Sequence, residues 1–367
     1  MDGSPMNGLP HDTLLLIFSS LPLRDIIACR SVCKSFNQTL TSSSFMYLIS
    51  TRPPLHLLAL RPHHHHHHHR FHASFHPSLH VYDPHHSKWL RFSLDFLPFR
   101  SLHPVASAGG LVYLWVESTN SIDSYKSLVV CNPLTRQYRV LPQLGSAWSR
   151  HGSVLVDSVN RVMVLSELAA LYFSGSSNKW LKFSSNLPSK PRSPILISNS
   201  VYALCDVGSP WRSRWKLFTC SLNNSSDHRH NWVCLEKEEW GDIFDIVKRP
   251  RLVRGSGSNT ILMIGGLKST LSLNPSCSTI LILRLDLDSL EWEEATRMPV
   301  DMYRCFQEST KFKVFGGGDK VCFSAKRVGR LALWDGGEGW RWIDEMPGNG
   351  DGLSRGFVFE AQLNALP

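Results

Sequence analysis

Histidine is the most concentrated chemistry-bearing residue in this sequence. Seven consecutive imidazoles run from His63 to His69, and His72, His76, His80, His85 and His86 follow. Neutral imidazole binds transition metals, but a defined site needs ligands held in one geometry by supporting hydrogen bonds, which a homopolymeric run does not supply. The tract therefore reads as a polar loop insertion, and no metal or other cofactor is assigned. Cysteine comes second. The nine cysteines are scattered from Cys29 to Cys322 without a Cys-x-x-Cys pair, which argues against a disulfide framework and a structural zinc site and implies a reducing compartment. Arginine comes third. Arg100, Arg150, Arg192, Arg251, Arg304 and Arg355 recur along the chain, each shortly before an apolar stretch. A guanidinium presents five donors in a rigid fork, suited to tying backbone carbonyls together or to gripping a carboxylate or phosphate.

Charge narrows the partners. The 39 Lys and Arg against 30 Asp and Glu leave a formal charge of +9, which agrees with an acidic or phosphorylated ligand, although net charge governs steering more than specificity. The basic residues are dispersed and no base-reading motif accompanies them, so nucleic acid is not an expected partner. Lys248-Arg249-Pro250-Arg251 is a short basic run that fits a nuclear signal or a solvated loop. The first residues, Met1 to Pro5, lack the basic-then-apolar order of a signal peptide, and no stretch has the length to span a bilayer. The expectation is a soluble protein of the cytoplasm, the nucleus or both, with no membrane partner.

The elements that position these residues divide the chain in two. From Leu9 the sequence reads LPHDTLLLIFSSLPLRDIIACRSVCKSFNQTL. Pro10 suits a helix start, Asp12 favours the positive end of the helix dipole, and Leu14, Ile17, Phe18 and Leu21 fall on one stripe. Pro22 stops that helix, Leu23, Ile26, Ile27 and Val32 outline a second, and 34–40 a third. So small a unit cannot bury all these leucines alone, so part of the surface awaits a partner. The segment resembles an F-box, carried by Leu9-Pro10, Ile17-Phe18, Leu21-Pro22 and Val32-Cys33-Lys34-Ser35-Phe36, with Phe36 where the family usually has Trp. The resemblance covers residues 5–46. It implies that Leu9, Pro10, Leu14, Ile17, Phe18, Leu21, Ile26, Val32 and Cys33 bind a Skp-family adaptor. A linker is expected over 47–54, where 41–44 are short polar residues and Pro53-Pro54 favours extended chain.

From 55 to 367 the pattern becomes short β-rich runs that repeat. Aromatic anchors follow an apolar strand and a polar turn at Trp89, Tyr138, Trp180, Trp232, Trp292 and Trp342, and five of the six are followed by Leu-Pro or Met-Pro. A period near fifty with a Gly pair and a downstream Trp, seen best in Ile264-Gly265-Gly266 before Trp292, resembles the kelch repeat. The resemblance implies an all-β propeller of six blades. The first unit is one strand short, and 356–363 supplies it, closing the ring without an open edge. The fold expected is thus a small all-α F-box of three short helices followed by a six-bladed kelch-type propeller sealed by its C-terminal strand.

Aligned on the blades, the six arginines fall near one mouth of the central channel. Two roles fit them: bonding carbonyls of neighbouring blades, or lining a substrate-facing mouth with Trp148, Trp211, Trp215 and Tyr303 as aromatic contacts. The resemblance implies the substrate receptor of an SCF-type ubiquitin ligase, joined through its adaptor to a cullin and a RING subunit and holding an unidentified protein target. Such a chain is not an enzyme; it supplies proximity. The alternatives are an F-box scaffold outside any ligase and a kelch-fold oxidase, for which no convergent Tyr, His and Cys set is legible.

Overall fold

The punctuation of the N-terminal segment is what makes it helical. The structure, a computed structural model, describes residues 9–61, 77–99, 101–117, 126–145, 148, 151–157, 161–173, 178–222, 231–268, 277–307, 312–347 and 353–367. Pro10, extended at φ −56° and ψ 145°, caps α1 (His11–Ser20), and Asp12 lies in its first turn. Proline is tolerated there because its missing N–H would have no partner in the first turn. Pro22 in turn caps α2 (Leu23–Cys29). Cys33 caps α3 (Lys34–Thr41), its Sγ accepting from the Phe36 N–H at 3.4 Å.

A fourth helix follows where three were expected. Ser42 Oγ accepts from the Phe45 N–H at 3.2 Å and starts α4 (Ser43–Ser50), which runs into the segment read as linker from 47. The short polar residues taken as extended chain act here as a helix cap. Phe45 is fully buried, so this helix is part of the core rather than a tether.

The remainder forms six four-stranded sheets, one per blade. The innermost strands are Ser101–Ala108, Ser153–Val156, Arg192–Ile197, Val247–Arg254, Phe312–Gly317 and Gly356–Ala361. The last of these belongs to blade 1, where it pairs antiparallel with Leu55–Leu60 in a register from Leu55↔Ala361 to Leu60↔Gly356. Gly356 is required there, because a Cβ would stand 2.2 Å from the Ala59 carbonyl oxygen.

The repeat has a local cause in the turn before the outer strand, seen in blades 1, 2 and 5. Asp83 Oδ1 accepts from the His85 N–H, Asn132 Oδ1 from the Leu134 N–H and Asp286 Oδ1 from the Asp288 N–H. Such side-chain turns leave the chain to reverse through one left-handed residue, here Ser87, Arg136 and Leu290. Two positions on stand the anchors Trp89, Tyr138 and Trp292, paired with Tyr82, Cys131 and Leu285. In blade 6 the turn is one residue shorter, so the equivalent anchor is Trp340, paired with Trp334, and not Trp342 as the spacing suggested. Several anchors also stitch blades together: Trp89 Nε1 donates to the Asp344 carbonyl at 3.1 Å, Trp180 Nε1 to the Pro142 carbonyl at 2.9 Å and Trp340 Nε1 to Thr296 Oγ1 at 3.0 Å.

Antiparallel blades sort the connections onto two faces. The links between second and third strands, and those between blades, all lie at the end where the inner strands begin, here termed the upper face. Among the described residues that face carries the connections 207–214 and 236–246 and the segment 298–307. The lower face has mostly tight turns, and it receives the F-box. Helix α4 leads into Leu55, which pairs with Ala361 at the lower end of its strand. Arg30 Nη1 donates at 3.3 Å to the Leu134 carbonyl in a lower-face turn. Leu15, Phe18, Ile26, Leu40 and Phe45 join one apolar cluster with Leu57, Leu79, Val112 and Leu363 of the propeller. Among the described residues no helix is long and apolar enough to cross a membrane.

The histidines from His63 to His69 lie outside the described residues. Deleting them is expected to leave the melting temperature and adaptor binding unchanged. A loss of several degrees, or of a bound metal in step with the tract, would overturn the reading of a solvated insertion.

Candidate functional site

Helix packing divides the expected adaptor-binding residues into two groups. Leu14, Phe18 and Ile26 are buried, at 9%, 1% and 0% exposure, and Phe18 meets Phe36 edge-on with ring centroids 4.9 Å apart. Leu9 and Leu21 are half-buried against the same cluster. These five shape the F-box from within. Pro10, Ile17, Val32 and Cys33 face solvent, and Leu16, not singled out by the motif, is 64% exposed. Ile17 at 37% and Val32 at 67% are likewise apolar side chains that nothing among the described residues covers. The signal that could have found Leu16 is the surplus apolar residue in the run Leu14-Leu15-Leu16-Ile17-Phe18: one helix face cannot bury all five.

The second surface is the upper mouth of the channel. The inner strands enclose a cavity of about 570 Å³ whose wall includes Arg61, Ser193, Leu252 and Gly356. Arg192 opens its inner strand, Arg251 sits at a bulge in the next, and Arg355 immediately precedes the sealing strand. These three therefore share the mouth, as the alignment on the blades suggested. Arg304 does not. The chain before the sixth inner strand forms a helix, Val300–Gln307, which carries Arg304 out of register, 70% exposed and paired with Asp301 at 3.1 Å. Arg304→Glu is accordingly expected to leave the melting temperature and target capture unchanged, since an exposed pair is screened by solvent. Arg100 and Arg150 lie outside the described residues.

Arg61 is the mouth residue that the sequence concealed. It follows a second strand rather than preceding an inner one, yet pairing brings its N–H within 2.8 Å of the Arg355 carbonyl. Its Nη2 donates to the Val105 carbonyl, its guanidinium lies 5.9 Å from the Phe357 ring centroid, and its Nε is buried without a partner. Burial, then repulsion from Arg355, pushes its pKa down to about 10. Arg251 is likewise pushed down to about 10 by burial and by repulsion from Arg192, Arg249 and Arg355. A depressed arginine means that the charged form is uncomfortable where it stands.

The aromatic candidates part company. Trp211 is 96% exposed on the upper-face connection 207–214. Trp215 lies under Arg192, with the guanidinium carbon 4.5 Å from the ring centroid. Trp148 is half-buried against the core of blades 2 and 3. Tyr303 donates to the Cys277 carbonyl at 2.8 Å and burial pushes its pKa up to about 12, so it is a structural bond rather than a contact group. Burial also pushes the Cys131 thiol up to about 12 and those of Cys205 and Cys220 up to about 11, leaving them as small apolar packing groups.

Comparison with known proteins agrees with this architecture. The F-box domain family matches residues 6–48. SKP1-interacting partner 15 of Arabidopsis thaliana is 70% identical, with 100% of both chains covered. An F-box/kelch-repeat protein of Arabidopsis thaliana is 25% identical over 98% of this chain and 90% of its own. The Protein UNUSUAL FLORAL ORGANS of the same plant is 24% identical over 96% of this chain and 81% of its own. The chain therefore belongs to the plant F-box family, its F-box followed here by a six-bladed propeller.

Proposed function

We propose that this protein is the substrate-recognition subunit of an SCF-type ubiquitin ligase. The observation that carries the reading is the separation of two surfaces across one ring of blades. An apolar F-box edge of Leu16, Ile17 and Val32 lies on the lower side, and a cationic mouth with long connections lies on the upper. The name of the 70% identical relative, an interacting partner of SKP1, supports a Skp-family adaptor as occupant of the F-box edge. Through that adaptor the chain joins a cullin and a RING subunit. The upper face then holds the target, with Arg192, Arg251, Arg355 and Trp211 as its contacts. The chain itself performs no covalent chemistry; it raises the local concentration of target lysines at the conjugating enzyme. It acts in the cytoplasm, the nucleus or both.

Affinity purification of the tagged full-length chain tests this. Adaptor and cullin are expected together, in amounts that fall together when the F-box edge is mutated. Recovery of the adaptor without any cullin would instead make the protein a scaffold outside the ligase.

A further inference from the structure

The upper mouth holds more positive charge than its described neighbours balance. Arg192 and Arg251 stand on adjacent inner strands, and Arg355 and Arg61 meet across the sealing pair of blade 1. Among the described residues the charges that act on Arg251 are the three arginines Arg192, Arg249 and Arg355, and the one that acts on Arg61 is Arg355. Arg192 does have an acid near it, Asp206. That carboxylate is already engaged, with its Oδ1 accepting from the Gly208 N–H at 3.0 Å and the Arg214 N–H at 2.9 Å. Among the described residues Arg251 Nη1 reaches only backbone carbonyls of its own strand, those of Pro250 at 3.2 Å and Arg249 at 3.4 Å.

Guanidiniums used purely to tie blades together would have their donors satisfied by carbonyls and their charge balanced by carboxylates. Arg61, Arg192 and Arg251 are half-buried and Arg355 is exposed beside them; like charge crowds them, and among the described residues the buried Nε of Arg61 has no acceptor. Gathering them costs free energy in the empty protein, and an anion that enters the mouth returns it. A carboxylate brings one charge. A phosphate monoester brings nearly two, with three acceptor oxygens that several forks can share. Trp215, with the Arg192 guanidinium over its ring, and the exposed Trp211 on the same face provide the contact area beside such a group.

We infer that Arg61, Arg192, Arg251 and Arg355 form a binding site for a phosphate monoester at the upper mouth of the propeller. This rests on the proposed role as a target receptor only in naming the source, a phosphorylated side chain of the target. A free phosphorylated small molecule shares the chemistry and is separated from it by experiment.

The full-length protein is titrated with inorganic phosphate, with inositol hexakisphosphate, and with a pentapeptide Gly-Gly-X-Gly-Gly in which X is phosphoserine, serine or glutamate. Melting temperature and calorimetry are read. Phosphate is expected to raise the melting temperature, and the phosphoserine peptide to bind at least tenfold more tightly than the glutamate peptide. In the variant Arg251→Gln with Arg355→Gln, binding should fall at least tenfold. Without ligand that variant should melt no lower than wild type, because like charges have been removed; a purely structural role predicts the opposite. Arg355→Gln alone serves if the pair does not fold, and Arg304→Gln, outside the mouth, should bind as wild type. Tighter binding of inositol hexakisphosphate than of the phosphoserine peptide would keep the site and reassign its source to a free small molecule.

No response to any phosphate compound, an undiminished response in the folded variant, or tighter binding of the glutamate peptide would overturn the inference. Capture of the adaptor by the same preparations is an independent readout, so failure of the phosphate site and failure of the receptor reading are distinguishable.

Discussion

Removal of residues 354–367 is expected to unfold the propeller rather than shorten it. The deletion takes away the inner strand of blade 1, and with it six register positions against Leu55–Leu60. It also removes Phe357, Phe359 and Leu363, which are 8%, 0% and 2% exposed in the cluster shared by the propeller and the F-box. Losing one buried side chain of this size costs about 2–5 kcal/mol. Three together reach roughly 10 kcal/mol, which is comparable to the total stability of a typical domain, about 5–15 kcal/mol. Two further ties go too: Asn132 Nδ2 donates at 2.9 Å to the carbonyls of both Gln362 and Ala365, and the Ser354 N–H donates at 2.8 Å to Ser324 Oγ of blade 6. Limited proteolysis and thermal melting should show the whole ring becoming labile, and because the F-box shares the cluster, adaptor capture should fall as well. A truncated chain that melts like the intact one would show the blade register to be wrong. Phe359→Ala is the graded version, with an expected cost of about 3–5 kcal/mol and the fold retained.

Leu16→Arg with Ile17→Arg is expected to eliminate adaptor capture while leaving the melting temperature close to wild type. Both side chains reach solvent, so charge there does not disturb the interior. A central interface residue is worth about 2 kcal/mol or more, so the pair should weaken binding about a thousandfold. The contrast is Phe18→Ala. Phe18 is 1% exposed and packs on Phe36, so its loss should cost about 3–5 kcal/mol and reduce capture only through unfolding of the F-box. Leu9→Ala with Pro10→Ala should also abolish capture, with some loss of stability because Leu9 is half-buried against the cluster. Pull-down of the adaptor at equal amounts of folded protein separates the cases. Normal capture by the Leu16 and Ile17 variant would move the adaptor surface elsewhere on the F-box.

What the amino-acid sequence determined by itself was most of what repeats or punctuates locally, the Ser42 helix cap and the blade 6 anchor excepted. The Leu9-Pro10 and Leu21-Pro22 stops set the F-box helices because proline acts on its own turn. The aromatic anchors set the blade count because they recur in sequence, and in blades 1, 2 and 5 each lies the same distance beyond an Asp or Asn turn that needs no distant partner. The closing strand was legible as the missing piece of an incomplete unit. Tertiary structure decided which residues share a surface. The alternation of strand direction put the F-box below the ring and the long connections above it, and no local pattern records that. Arg61 joined the mouth only because strand Leu55–Leu60 pairs with residues almost 300 positions away. Arg304 left it because the preceding connection coiled into a helix. Leu16 was separated from Leu15 only by which side of α1 met blade 1. Charge crowding and exposure are properties of neighbours in space, so they appear only once the chain has closed on itself.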